Sequence, residues 1–323
     1  MDWNYISYYF NWLFGEIRNF LLVANNPGQK IFLAVVVIAL FVAVMALLLW
    51  LVDRPRNPRG WLVASVFAGP ALLLIGFGLV YPAIRTTYSS FYDRNGQNFI
   101  GWDNYVRAIG EPEFQLVLRN TALWVFLVPI LATAIGLIYA VIVDRTRFEK
   151  LAKTLVFMPM AISMVGASII WRFVYDYRQA SSPQTGLLNQ VLVWLGIEPQ
   201  QFIIQQPWNN FFLIVVMIWI QTGFAMTILS AAIRAIPDDI VEAARLDGLS
   251  GVGLFRHITV PSIRPALVVV LTTIAMATLK VFDIVRTMTG GNFGTSVVAN
   301  EFYTQSFRYN EKGIGATLAV ILF

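Results

Sequence analysis

Six long apolar runs constrain this chain more than any other feature of its sequence. They lie at residues 31–52, 61–82, 120–143, 153–175, 211–233 and 265–285, and a seventh begins near Gly313. A helix needs about 20 apolar residues to cross the ~30 Å hydrocarbon core of a bilayer. The chain is 58% hydrophobic and 13% charged, whereas a water-soluble protein of 323 residues needs a more polar surface. We therefore predict an all-α, polytopic membrane helix bundle of seven or eight helices.

Several kinds of catalytic and binding site are missing from the sequence. The chain has no cysteine and a single histidine, His257, so it offers no thiolate nucleophile and no His/Cys metal cluster. It also lacks the Gly-x-x-x-x-Gly-Lys-Ser/Thr loop that holds nucleotide phosphates. The net charge of +5 does not indicate nucleic acid, because basic residues in a membrane protein mainly mark cytoplasmic loops. We predict no catalytic residue, no metal site and no cofactor bound by this chain.

The distribution of lysine and arginine predicts the orientation in the membrane. One set of loops carries ten basic residues in about 48 positions, namely 53–60, 144–152 and 234–264. The opposite set carries eight in about 102 positions, namely 83–119, 176–210 and 286–315. Because cytoplasmic loops are richer in lysine and arginine, the first set is predicted to be cytoplasmic.

The two ends of the chain leave alternatives open. In residues 5–24, apolar side chains recur at helical spacing on one side, which suits a helix lying in the membrane interface, while the length also permits a span. The final apolar run, Ala316–Phe323, is too short to cross, so we expect the last span to be incomplete. We divide the chain into residues 1–60, with an amphipathic helix and the first span, and a transmembrane domain at 61–323.

The most informative polar segment, residues 235–264, separates two predicted spans. Pro237–Asp239 suits the start of a helix, because proline needs no N–H partner there and acidic groups complement the positive helix end. Gly248 suits its end. A second short helix is predicted at about 252–258, ending before Pro261. The segment is therefore expected to form a helix–turn–helix beneath the membrane.

The first of these two helices presents a surface suited to another protein. Ala243 and Ala244 are small enough for close approach. Glu242 and Asp247 offer carboxylates to a partner's arginine or lysine. An amphipathic loop packed on its own bundle would show the same pattern, so these residues alone leave both interpretations open.

The same segment resembles a known signature. The motif Glu-Ala-Ala at 242–244, followed by Gly248, Ile258 and Pro261, resembles that of permease subunits in binding-protein-dependent ABC importers. Val260 stands where leucine is usual, which is a mild apolar exchange. Further runs resemble carbohydrate permeases of the maltose-transporter MalF type, over roughly residues 60–323: Phe67–Pro70, Tyr81–Pro82, Arg234–Asp239 and Phe282–Val285. Met288–Thr295 is similar in particular to α-glucoside and glucosylglycerol permeases.

The resemblance implies a non-catalytic, multi-pass subunit in a bacterial plasma (inner) membrane that imports a small neutral sugar or a sugar-derived osmolyte. A coupling helix would dock in a groove of a separate ATPase subunit, which binds the ATP and magnesium. A second permease subunit and an extracytoplasmic solute-binding protein, docked on the outer loops, would complete the complex. The residues that match the coupling site are Glu242, Ala243, Ala244, Asp247, Gly248, Ile258 and Pro261.

The sugar-contacting region of the maltose-type permeases corresponds here to Trp219, Gln221 and Phe224. The resemblance implies that Trp219 stacks on a sugar ring and that Gln221 bonds hydroxyl groups, although Trp219 is equally suited to ordinary packing. Neutral polar and aromatic groups fit a neutral polyol better than an ion.

Charged residues inside a predicted span form a further candidate. Lys280 and Asp283 are three residues apart and can meet on one helix face, either as an ion pair that holds the bundle together or as a polar wall of the path. Thr278 lies on the adjacent turn. The Gly290–Gly294 loop is expected either to reach into the solute-binding protein or to form a simple turn.

Two other functions compete with an ABC importer subunit. A secondary sugar transporter driven by an ion gradient requires inverted repeats with matching broken helices, and no convincing match between the halves is evident. A membrane scaffold without transport would explain the docking segment but not the charges at Lys280 and Asp283.

Overall fold

The computed structural model describes residues 26–53, 60–144 and 146–323. The chain divides into two compact units, Met1–Ala83 and Ile84–Phe323. The predicted amphipathic segment at 5–24 lies outside the described residues. The boundary drawn at residue 60 stays a prediction.

The described residues form α-helices and no β-strand, apart from one isolated antiparallel bridge between Tyr92 and Phe99. The sixteen α-helices are α1 Pro27–Asp53, α2 Gly60–Ile75, α3 Tyr81–Ser89, α4 Asp103–Gly110, α5 Pro112–Val143, α6 Glu149–Phe157, α7 Met164–Val174, α8 Leu187–Trp194, α9 Asn209–Arg234, α10 Asp238–Leu246, α11 Gly251–Leu254, α12 Val260–Ser262, α13 Arg264–Leu279, α14 Asp283–Met288, α15 Val298–Tyr303 and α16 Lys312–Leu322. Three π-helical turns and one 3₁₀ turn continue some of them: Gly76–Val80, Phe255–Thr259, Thr304–Arg308 and Met158–Ala161.

Four predicted spans are confirmed as helices long and apolar enough to cross a membrane: Pro27–Leu47, Val63–Ser89, Pro112–Val143 and Asn209–Arg234. The predicted start of the last helix near Gly313 is also confirmed, since α16 begins at Lys312. Two bent helix pairs raise the number of spans among the described residues to six if each pair crosses once.

The span predicted at 153–175 is not one continuous helix but a bent helix pair. The chain bends by 105° between the segment ending at Ala161 and helix α7. Pro159 lies in the 3₁₀ turn just before the bend. The hydroxyl of Ser163 accepts a hydrogen bond from Gly166 N–H at 3.1 Å and so caps a new helix. The apolar run is continuous, but a proline followed by a capping serine divides it into two helices.

The apolar run predicted as a span at 265–285 is also not one continuous helix. Helix α13 ends at Leu279, and α14 begins only at Asp283. Phe282 between them has φ −129° and ψ −53°, outside the helical region. At its other end, α13 is bent by 70° from the helical run Gly251–Ser262.

The core of the second unit is built on the contact between α5 and α9. A Cβ atom placed on Gly136 of α5 would lie 2.6 Å from Ala225 Cβ and 2.8 Å from Met226 N of α9. A Cβ atom on Gly223 would lie 2.6 Å from the carbonyl oxygen of Val156 in α6. Small residues thus let the backbones of three helices approach closely, as is common in membrane helix bundles. The largest fully buried side chains around this contact are Trp124, Leu213, Ile214, Met217, Met226, Leu229 and Ile274.

A smaller apolar cluster joins α4, α5, α15 and α16. Phe114 and Val117 of α5 pack there with Val298 of α15 and with Ile314 and Leu318 of α16. The chain segment after α14 is therefore folded back onto the first turns of α5.

We predict that Gly136→Ala lowers the stability of the protein by about 1–3 kcal/mol, because the added methyl group overpacks the α5–α9 contact. The thermal unfolding midpoint in detergent measures the effect. Gly110→Ala is the control, since a Cβ atom there meets no atom within 4 Å. Equal midpoints for the two variants would contradict the close contact.

Candidate functional site

Helix α10 begins where the sequence predicts. Pro237 is its N-cap residue, and Asp238 and Asp239 occupy the first turn, where their charge complements the positive helix end. Arg245 lies in the last turn, where a cation complements the negative end. The polar sequence therefore specifies a short helix without requiring a large buried face.

The end of α10 is a Schellman motif centred on Gly248. Gly248 has φ +87°, a conformation that side chains with a Cβ atom rarely adopt. Its N–H donates to the carbonyl of Arg245, and Leu249 N–H donates to that of Ala244, both at 3.0 Å. The predicted stop at Gly248 is confirmed. The motif reverses the chain so that the next helical run can lie beside α10.

The predicted second helix, ending before Pro261, is wrong in its extent. The helical run continues from Gly251 to Ser262 and includes Pro261. Residues Phe255–Thr259 form a π turn, in which Val260 N–H donates to Phe255 O. The wider turn gives room to the proline ring, which would clash with a carbonyl in a regular α-helix.

The two helical runs enclose a shallow depression of about 410 Å³. Its floor is apolar and its rim carries two carboxylates, and it is lined by Asp239, Ile240, Ala243, Ala244, Asp247, Leu249 and Ile258. Ala244 is 5% exposed, whereas Glu242, Ala243 and Asp247 are exposed. Most of α10 is therefore not covered by the part of the chain that the structure describes, which favours the docking interpretation over a loop packed on its own bundle.

The aromatic residues of the predicted path contact the core from α9. Trp219 is half-buried, and its ring meets Trp171 edge-on with centroids 5.7 Å apart. Phe224 is half-buried against the same core cluster, and Gln221 is also half-buried. Thr278 is fully buried, and its hydroxyl donates to Ile274 O at 2.7 Å, so its donor is already used within α13.

The structure separates Lys280 from Asp283. Because α13 ends at Leu279, the two residues do not share a helix face, and no ion pair joins them. Lys280 is exposed and its Nζ lies 5.2 Å from the centre of the Phe323 ring. Asp283 is half-buried at the start of α14. The predicted contact between them on one face is therefore wrong, because it assumed an unbroken helix.

Three asparagines that the sequence analysis missed hold the loop between α14 and α15. Asn120 of α5 donates through its Nδ2 atom to the carbonyls of Gly294 and Ser296, at 2.8 and 2.9 Å. Asn209 of α9 donates to Phe293 O at 2.8 Å, and Asn210 to Gly294 O at 3.4 Å. All three side chains are buried. We call this set the asparagine clamp.

The Gly290–Gly294 loop is a turn held by the asparagine clamp, and its reach into a solute-binding protein stays a prediction. Gly290, Gly291 and Gly294 all have positive φ, as a tight turn requires. The clamp bonds the loop carbonyls to α5 and α9, so in this structure the loop is fixed to the helix bundle. The sequence did contain a signal for these contacts. Asn120, Asn209 and Asn210 lie at the ends of apolar runs, where a buried amide needs hydrogen-bond partners.

Residues 114–323 match the model of the family described as "Binding-protein-dependent transport system inner membrane component". The chain belongs to this family. It is therefore a membrane-spanning permease subunit of an ABC importer and is not itself an enzyme. The all-α bundle and the family that the motif at 242–261 predicted are confirmed.

Two relatives are similar over most of their length. The osmoprotective compounds uptake permease protein GgtC of Synechocystis sp. is 48% identical over 257 residues, which cover 80% of this chain and 92% of the relative. The alpha-glucoside transport system permease protein AglF of Rhizobium meliloti is 50% identical over 265 residues, covering 82% of this chain and 78% of the relative.

A solved structure has the same fold. It comes from a bacterial ABC transporter involved in the import of the acidic polysaccharide alginate. The TM-score is 0.69 at 23% identity, over 81% of this chain and 89% of that chain. The described helices of this chain therefore adopt a fold that is already known from a solved importer.

We predict that Asn120→Ala lowers the free energy of unfolding by about 1–3 kcal/mol, because Ser296 O loses its side-chain donor and Gly294 O keeps only the longer bond from Asn210, at 3.4 Å. The loop should also become open to limited proteolysis near Phe293. Asn98→Ala, which truncates an exposed asparagine bonded to Asp93, is the control. Unchanged protection of the loop in Asn120→Ala would contradict the asparagine clamp.

Proposed function

We propose that this permease imports a small neutral sugar or a sugar-derived osmolyte, of the disaccharide or glucosylglycerol class. The observation that carries the proposal is the identity of about half of all aligned residues with two permeases whose names refer to α-glucosides and to osmoprotective compounds. More distant relatives are named for lactose, for trehalose and maltose, and for arabinooligosaccharides.

The chemistry of the proposed path agrees with a neutral cargo. Trp219 and Phe224 supply aromatic faces that can stack on the C–H groups of a sugar ring, and Gln221 supplies both a donor and an acceptor for hydroxyl groups. Asp283 lies at the break between α13 and α14, where a polar backbone can border a water-filled path. Lys280 and Thr278 have weaker support, because the lysine faces the Phe323 ring and the threonine hydroxyl bonds its own helix.

The proposed coupling site is the surface formed by α10 and the turns that follow it. Glu242 and Asp247 offer carboxylates, and the small Ala243 and Ala244 let a partner's backbone or side chain come close. Gly248, Ile258 and Pro261 shape the depression by turning the chain and by placing the second helical run beside α10. An ATPase subunit that moves this surface on binding and hydrolysing ATP would drive the permease.

The complex proposed here has four kinds of component in a bacterial plasma membrane. This chain and a second permease subunit span the bilayer, ATPase subunits bind ATP and magnesium on the cytoplasmic side, and a solute-binding protein delivers the cargo from outside. Support for the last comes from the solved alginate transporter, whose structure includes an alginate-pentasaccharide-bound periplasmic protein. In this arrangement residues 61–323 act as the transmembrane domain.

An uptake screen tests the substrate class. A strain lacking this chain should lose uptake of one or more of trehalose, sucrose, maltose and glucosylglycerol, and should regain it with the gene restored. Normal uptake of all four would contradict the proposed class. Uptake that persists after ATP depletion would instead indicate a transporter driven by an ion gradient.

We predict that Trp219→Ala raises the substrate concentration needed for half-maximal uptake by about threefold to tenfold, because an aromatic contact is worth roughly 0.5–1.5 kcal/mol. Trp219→Phe should keep most of the affinity. Equal amounts of assembled complex in the two variants exclude a folding defect. An unchanged half-maximal concentration in Trp219→Ala would contradict a path role for this residue.

We predict that Glu242→Lys uncouples ATP hydrolysis from uptake, since it reverses the charge on the exposed face of α10. Reconstituted complexes should then hydrolyse ATP with little transport or should lose the ATPase subunit. Lys150→Glu, a charge reversal at an exposed residue in the first turn of α6, is the control. Uptake equal to that of the unaltered protein would count against the docking role.

A further inference from the structure

Four charged side chains and one serine connect the ends of three helices near the proposed coupling site. Asp144 directly follows α5, Glu149 and Lys153 lie in α6, and Ser230 and Arg234 lie in the last two turns of α9. We call this set the charged cluster. It consists of two cations, two carboxylates and a hydroxyl group, so its net charge is zero.

The contacts of the charged cluster are shared between its members. Arg234 Nε lies 2.8 Å from Asp144 Oδ1, and the Nη2 atom of the same guanidinium bonds Glu149. Lys153 Nζ lies 2.7 Å from Glu149 Oε1 and 3.9 Å from Asp144 Oδ1. The ammonium of Lys153 also bonds the hydroxyl of Ser230. Each carboxylate therefore faces both cations.

Burial distinguishes the charged cluster from ordinary surface ion pairs. The side chains of Asp144 and Glu149 are only 12% and 18% exposed, whereas Arg234 is 49% exposed. A carboxylate that is largely removed from water depends on its cationic partners for stabilisation. Removal of one partner therefore costs more free energy of folding than it does at an exposed ion pair. Arginine suits this role because its planar guanidinium bonds two carboxylates at once.

Arg234 connects the charged cluster to the proposed coupling site. Arg234 is the last residue of α9, and α10 begins at Asp238 after a short connection. The connection is itself bonded, with Ala235 N–H donating to Ala231 O at 3.1 Å and Ile236 N–H to Ile233 O at 3.2 Å. A displacement of α10 is therefore applied to α9 at the point where the charged cluster binds α9 to α5 and α6.

The charged cluster also connects to helices that lead toward the proposed path. Helix α6 leads into the 105° bend before α7, and α7 is in contact with α14 beyond the broken span. The backbones of α6 and α9 also approach closely at Gly223. A charged cluster that holds α5, α6 and α9 rigidly would transmit a movement of α10 to α6. From α6 the movement would reach the bend before α7 and the proposed path.

We propose that the charged cluster is a positioning device for coupling, which makes α5, α6 and α9 follow the displacement of α10. This inference rests on the proposed coupling role of α10. It assigns to Asp144, Glu149, Lys153 and Arg234 a role in force transmission that is separate from docking of the ATPase.

The test uses the complete transporter, with its ATPase, second permease and solute-binding protein, in proteoliposomes. Uptake of radiolabelled trehalose, sucrose, maltose and glucosylglycerol is measured together with ATP hydrolysis. In Arg234→Gln the ratio of solute transported to ATP hydrolysed should fall by about threefold to thirtyfold, the usual range for residues that carry coupling. Arg234→Lys should recover part of the ratio, because lysine keeps the positive charge but lacks the planar guanidinium that bonds two carboxylates at once.

Asp144→Asn should lower the same ratio, and the double variant Asp144→Asn/Arg234→Gln should be less impaired than the sum of the two single effects, because the two residues belong to one network of ion pairs. Arg147→Gln is the matched control: it removes one positive charge from an exposed residue of the same loop, with no ion pair to the residues that the structure describes. The ATPase subunit should co-purify in normal amount with every variant.

Three results would overturn the proposal. They are an unchanged ratio in Arg234→Gln and Asp144→Asn, an equal fall in Arg147→Gln, and a fall only in proportion to the loss of assembled complex. These results differ from failure of the proposed coupling site, in which Glu242→Lys would also leave the ratio unchanged.

Discussion

The close contact between α5 and α9 is the constraint on which the second unit depends. Helices in lipid gain little from burying apolar side chains against each other, since the lipid tails are equally apolar. Association must come from close packing, and Gly136 and Ala225 allow it by removing side-chain volume at the contact. Gly223 does the same for α6. The other helices of the core then pack around a pair whose spacing is set by these small residues.

The same helix pair carries polar connections at both of its ends. At one end the asparagine clamp bonds the loop before α15 to the first turns of α5 and α9. At the other end the charged cluster joins the last turn of α9 to the segment after α5. Helix α9 has 26 residues and is therefore about 39 Å long. Apolar packing in the middle and polar contacts at the ends together make the pair a stiff body, which is what a mechanical connection across a membrane requires.

Much of this architecture follows from the sequence, and the sequence-based predictions that were wrong have definite physical causes. Length and apolar composition located four spans correctly, and Gly248 located the end of α10, because hydrophobicity and positive φ are properties of the local residues. Composition does not reveal whether an apolar run is one helix or two, so the breaks near Ser163 and Phe282 were missed. Lys280 and Asp283 were wrongly paired for the same reason. The asparagine clamp joins residues that are 84 to 176 positions apart, and only the packed fold brings them together.

The comparison with the alginate importer shows why the substrate must be argued from side chains. That transporter imports an acidic polysaccharide, and its permease shares this fold at 23% identity. A fold that serves an acidic polymer in one protein cannot by itself specify the cargo in another. The selecting groups must be those that border the path, and here the proposed ones on α9 are two aromatic rings and an amide. Such groups contact sugar rings and hydroxyls without requiring a charge on the cargo, whereas an acidic substrate would need cations held toward the path.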